Sequence, residues 1–232
     1  MKAKLKKFTG WMSGLKDRDD VIIFLIGLDL MLAIASNVVD WPWLMSVEWY
    51  LRPFAPICSL FPLTLAIWFM IYRKKKRVPA WFTTFIFVGL ISYGIMAQIY
   101  FPYYISQLGF NWRLPGNMLW VALYASQVFI IASEIRPAKT YQFALIVAYY
   151  LFKDYSDRYL GSFIDAQQLG FSEIAKDFFF VLIILLHVGS FALAMFLAFR
   201  HYRQLARPLP AHEPLPQKEA HFPHQTLPHE QP

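Results

Sequence analysis

Along most of this chain apolar residues do not alternate with polar ones; they run together in long blocks. Six blocks approach the ~20 residues a helix needs to cross a bilayer core. They fall at residues 21–39, 56–72, 80–101, 117–135, 141–152 and 178–199. The fifth is short, about 12 residues or roughly 18 Å of helix. It then meets Lys153, Asp154, Asp157 and Arg158. A re-entrant segment would suit that length. We read instead a full span whose outer end is polar because protein shields it or because it lines a wet cavity. The pattern predicts an all-α, polytopic transmembrane helix bundle of six spans over 21–200.

The two flanks differ from the bundle. Within 1–20, Leu5, Phe8, Trp11, Met12 and Leu15 recur at helical spacing, and Lys2, Lys4, Lys6, Lys7 and Lys16 fall largely elsewhere. That spacing predicts an amphipathic helix lying on an anionic cytoplasmic leaflet. No apolar signal-peptide core precedes it. The segment 201–232 is rich in proline and poor in apolar residues, which predicts a disordered cytoplasmic tail. Its His212, His221, His224 and His229 match the spacing of no tight metal site.

Composition supports the membrane reading. Hydrophobic residues make up 57% and charged residues 16%, against about 45–50% and about 25% in soluble domains. Cys58 is the single cysteine, so an intramolecular disulfide scaffold is excluded. The net charge of +7 is mostly topological. With the N-terminus in the cytoplasm, seventeen basic residues lie inside and five outside, as the positive-inside rule requires. Both termini are then cytoplasmic. The membrane is the implied partner, and the charge points to no nucleic acid. Trp41, Trp43, Trp49, Tyr50, Tyr100, Tyr103, Tyr104 and Trp112 crowd the outer side, where aromatic rings favour the headgroup level.

Ionisable groups inside spans are costly and are functional candidates by default. Asp29 lies roughly 12 Å into the first span, close to the midplane. Ser36 and Asp40 fall within about 20° of the same helical direction, so one stripe of this helix faces the bundle interior. His187 and Gln127 reach the same depth on the sixth and fourth spans. A buried carboxyl at this depth either takes up a proton or finds a partner. His187 is the candidate charge partner and Gln127 the candidate hydrogen-bond donor, and which helices are neighbours is not readable from the sequence. The plain alternative is that these groups only hold helices together.

A second group is Lys153, Asp154, Tyr155, Ser156, Asp157, Arg158. At i, i+4 spacing Lys153 reaches Asp157 and Asp154 reaches Arg158. With Asp40 at a similar height, Asp40, Asp154 and Asp157 would form an outer vestibule for a cation or a lipid headgroup. The alternative is a helix end neutralised by its own ion pairs. Glu134, beside Arg136 and Lys139, reads as an interfacial ion pair. Pro56 and Pro62 should kink the second span and free carbonyls near Cys58 and Phe61. No phosphate loop, metal-ligand spacing or nucleophile–base pair occurs, and no cofactor is named by the sequence.

Three stretches together resemble a known family. They are Trp49-Tyr50-Leu51-Arg52-Pro53-Phe54-Ala55-Pro56-Ile57-Cys58-Ser59-Leu60-Phe61, Ser92-Tyr93-Gly94-Ile95 and Lys153-Asp154-Tyr155-Ser156-Asp157-Arg158. With Ser126, Gln127 and Glu134 they are similar to the YpjA-like proteins over roughly residues 24–161. These are small multi-pass prokaryotic membrane proteins whose shared domain has no assigned function. The chain departs from that pattern at Gln127, Lys153 and Arg158, where histidine, asparagine and tyrosine are usual. The resemblance implies a multi-pass fold in a prokaryotic inner membrane and adds weight to Asp154 and Asp157. Three functions stay open: binding or transport of a small or lipidic ligand, a non-enzymatic assembly or scaffold subunit, and an enzyme acting on a hydrophobic substrate.

Overall fold

A computed structural model gives the fold and describes residues 10–11, 14–52, 54, 57–109, 113–160 and 172–205. Those residues are helical, with no strand among them. The helices are α1 (Asp19–Ser46), α2 (Ile57–Lys75), α3 (Ala80–Leu108), α4 (Arg113–Ser126), α5 (Val128–Ile131), α6 (Thr140–Tyr155) and α7 (Glu173–Leu205). A 3-10 turn, Ala132–Glu134, extends α5, and a π-helical turn, Ser156–Leu160, extends α6.

Four stretches are long and apolar enough to cross a membrane: Asp19–Pro42, Ala80–Gln107, Pro115–Glu134 and Glu173–Arg203. The expected six spans are therefore met at four places. The other two helices are shorter. The uncharged part of α2 ends at Tyr72 and covers about 24 Å, and that of α6 covers about 20 Å before Lys153, against a hydrocarbon core of about 30 Å. The long helices carry the large outward apolar surface that hydrocarbon solvates. Phe24, Ile34 and Val38 on α1, and Val181, Leu185 and Val188 on α7, are each more than half exposed.

Helix ends follow local chemistry. Pro62 withholds a donor inside α2, and the Thr64 hydroxyl donates to the Phe61 carbonyl at 3.0 Å. Phe61 O thus accepts a side-chain bond, while the carbonyl that Pro62 itself leaves without its helical N–H is Cys58 O, four residues back. Pro56 lies outside the described residues. The chain leaves α2 through Lys76 at φ 52°, whose N–H donates to Tyr72 O at 2.7 Å. This is the left-handed position that glycine usually fills. Gly109 at φ 85° closes α3 in the same hand.

The centre of the bundle is α3, which packs on α2, α4, α6 and α7, while α1 packs chiefly on α2. Trp68, Phe61, Phe69, Phe87, Ile131 and Tyr150 are fully buried around α3. The Trp68 indole N–H donates to Thr83 Oγ1 at 3.0 Å, which ties α2 to α3.

The flanks are seen only in part. Residues 1–9, 12 and 13 of the expected interfacial helix lie outside the described residues, as do residues 206–232 of the expected tail with its histidines. Lys16, one of the lysines read as lying off the apolar face, bonds to Ser133 and Glu134. Its charge is better satisfied by a carboxylate close to burial than by a headgroup. Trp41, Trp49 and Tyr50 are exposed, as interfacial anchors would be. Tyr100 is not an anchor: it is buried with its ring edge-on to Phe179 at 5.2 Å, and Tyr103 meets the same ring. Trp112 lies outside the described residues.

Candidate functional site

Two buried polar groups sit in the bundle. In the first, Asp29 of α1 is completely buried and Gln127 nearly so. Gln127 stands where the helical ladder loosens between α4 and α5. Its N–H reaches back three residues to Tyr124 O, at 3.2 Å, and the Ser126 hydroxyl donates to Leu123 O at 2.7 Å. The Gln127 side chain donates Nε2–H to Asp29 Oδ1 at 2.8 Å. The expected donor is thus in place. Asp29 Oδ2 and Gln127 Oε1 are both buried and have no hydrogen-bond partner. A buried acceptor left open costs about 1–3 kcal/mol.

The expected charge partner is not there. His187 of α7 faces Asp154 at the end of α6, with Nδ1 and Oδ2 2.8 Å apart. Helix depth is legible in a sequence, but the neighbour on either side is not. Tyr93 of α3 completes the second group by donating its hydroxyl to Asp154 Oδ1 at 3.2 Å. All three side chains are buried. An ionised carboxylate only accepts, so against an ionised Asp154 the histidine proton sits on Nδ1. Nε2 is then an acceptor in the neutral ring, and it is buried without a partner.

Aromatic rings fix this histidine. Tyr93 meets it edge-on with centroids 5.2 Å apart, and Tyr150 lies tilted against it at 4.5 Å. Tyr150 is anchored in turn by donating its hydroxyl to Phe85 O at 2.6 Å. Gly89 makes room for this. A Cβ there would sit 2.0 Å from the Phe61 ring and 2.6 Å from the Tyr150 oxygen. Ser92 and Ser190, next to the group on α3 and α7, share a hydrogen bond of 3.0 Å.

The outer rim is arranged differently from the expected vestibule. Lys153 is buried and pairs with Asp157, the i, i+4 contact expected. The expected Asp154–Arg158 pair does not form. The π turn that begins at Ser156 widens the coil, and Arg158 crosses to α7, meeting Asp177 at 2.8 Å and Glu173 at 2.8 Å. The Asp177 carboxylate raises the Arg158 guanidinium above its ordinary pKa. Asp40 is half-buried on α1, the helix that packs chiefly on α2. Asp154 meets Tyr93 and His187, and Asp157 meets Lys153. Glu134 meets Arg136 at 3.0 Å as expected, together with Lys16, while Lys139 lies over the Tyr141 ring.

Sequence reasoning missed the hydroxyl of Tyr93 and the wall formed by Tyr150. A signal existed for Tyr93. Tyr93 and Asp154 each lie about 20 Å along their helices from the first residue, so the two are level if α3 and α6 start on the same side.

Among the described residues no group of three or more histidine, cysteine, aspartate or glutamate side chains could hold a metal ion. In comparisons with known proteins, no family model, no curated protein and no solved structure matches this chain.

Proposed function

We propose that this chain is a multi-pass protein of a prokaryotic inner membrane that binds, and through binding transports, a small or lipid-borne ligand at its buried polar groups. In this reading α2 and α6 complete a six-span bundle, their short apolar parts matched by protein neighbours rather than lipid. Both termini lie in the cytoplasm, which the excess of basic residues on that side supports. The stretches that resemble the YpjA-like proteins favour the same setting.

The observation that carries the reading is the set of open atoms. Asp29 Oδ2, Gln127 Oε1 and His187 Nε2 are all buried without a hydrogen-bond partner; Gln127 Oε1 can only accept, as does Asp29 Oδ2 when ionised. A ligand that satisfies them brings donors or positive charge: a proton, an ammonium group or a hydroxyl-rich head. The enzyme reading has no comparable support.

The test is native mass spectrometry of the full chain from nanodiscs, for wild type, Asp29→Asn and Asp154→Asn. The proposal predicts a stoichiometric small molecule in wild type that both variants lose while remaining folded. A wild-type chain that carries none and shows no Asp29-dependent uptake in liposomes refutes it. One observation favours a second reading, an assembly subunit: the described clefts are not lined by Asp29, Asp154 or His187. Polar groups that only bond across helices would serve such a subunit as packing contacts. A stably co-purifying protein, lost on replacing outward residues of α1 or α7, would establish that case.

A further inference from the structure

At the end of the bundle where α2 runs into α3, two clefts meet at Arg136 and Pro137. One, of about 370 Å³, runs between α3, α6 and α7 along Phe143, Ala194, Ala198 and Phe199. Its wall is almost wholly apolar. The other, of about 570 Å³, is bordered by Lys75 and Arg77. Both volumes fall within the roughly 300–1,000 Å³ of ordinary ligand sites.

The charges around this junction are unequal. Among the described residues, Glu134 and Asp17 are the acidic groups that meet its neighbours. Glu134 is shared by Lys16 and Arg136, and Asp17 accepts from the Tyr72 hydroxyl at 3.5 Å. Lys75 and Arg77 are exposed, and no carboxylate pairs with either among the described residues. A basic rim opening directly into an apolar groove fits a molecule with an anionic head and a hydrocarbon tail. Free phosphate would use the rim and leave the groove unfilled.

We infer that this junction is a binding site for one anionic phospholipid, its phosphate at Lys75 and Arg77 beside the Glu134-paired Arg136 and an acyl chain in the groove between α3, α6 and α7. The site is separate from the buried acceptors and stands whether or not they bind a ligand. Cationic pockets between helices at the headgroup level recognise lipid heads in this way.

The experiment uses the full chain in nanodiscs of equal phosphatidylglycerol and phosphatidylcholine, with retained lipid counted by native mass spectrometry. Each exposed cation favours anionic lipid roughly five-fold, so wild type should prefer phosphatidylglycerol by about thirty-fold or less. Lys75→Gln/Arg77→Gln removes two exposed side chains and should bring the ratio close to one at an unchanged melting temperature. Ala198→Trp fills the groove and should abolish retention with the rim intact. Excess inorganic phosphate should not displace the lipid. Equal retention of both lipids by wild type overturns the site. So does a preference that survives the double variant, retention unchanged in Ala198→Trp, or displacement by phosphate alone.

Discussion

Replacing Asp154 separates what the carboxylate holds together from what it sets chemically. Its two oxygens accept from Tyr93 at 3.2 Å and His187 at 2.8 Å, and the residue is 2% exposed. In Asp154→Ala both donors stay buried and lose their acceptor. At about 1–3 kcal/mol for each unsatisfied group, the loss should be about 2–6 kcal/mol. Asp154→Asn is a finer cut. The amide oxygen still accepts from Tyr93, but its NH₂ now faces Nδ1. The imidazole can accommodate this by moving its proton to Nε2, since either tautomer is accessible. Stability then falls by only about 1 kcal/mol. The chemistry inverts, because Nε2 becomes a donor. Denaturant titration in bicelles measures the stability. Nitrogen-15 NMR of histidine-labelled protein, with the His187 signals assigned from His187→Gln, reports which ring nitrogen carries the proton. The reasoning fails if Asp154→Ala is as stable as wild type, or if Nε2 stays bare in a folded Asp154→Asn protein.

Two other perturbations read the packing. Gly89→Ala places a methyl 2.0 Å from the Phe61 ring, which is itself buried against Tyr93 and Phe85. Overpacking should lower stability by about 1–3 kcal/mol and shift the His187 resonances through Tyr150; unfolding within about 0.5 kcal/mol of wild type would contradict the close approach. Glu134→Gln weakens the contacts to Lys16 and Arg136. Cleavage after Lys16 by trypsin should speed up several-fold while the rest of the bundle stays resistant; an unchanged rate would show that Lys16 is held by other contacts.

Much of this arrangement was legible in the chain because depth in a membrane can be counted. Asp29 and Gln127 were level by helical rise, and they are bonded. The Lys153–Asp157 pair followed from i, i+4 spacing. What could not be counted was which helix lies beside which. His187 is at a depth compatible with Asp29, yet α7 packs on α3 and α6, and its nearest carboxylate is Asp154. The Asp154–Arg158 expectation failed for a local reason. It assumed 3.6 residues per turn through a stretch that switches to a π turn at Ser156, and no composition rule announces such a switch. Tyr93 was visible as part of a motif but not as a hydroxyl donor, since a tyrosine in an apolar span reads first as packing.

The short α5 has a further consequence. The residue that caps its start, Gln127, is fastened to Asp29, and the turn that follows it is fastened through Glu134 to Lys16. Both fastenings grip the same stretch of the chain, residues 16–29, at two different heights. The α5 segment is thus a strut spanning two rungs of the N-terminal helix and its approach. Neither rung can shift along the bundle axis without loading the other. Moving Lys16 along the bundle axis is therefore expected to load the Gln127–Asp29 bond, a coupling that a double-mutant cycle of Glu134→Gln with Gln127→Leu would measure.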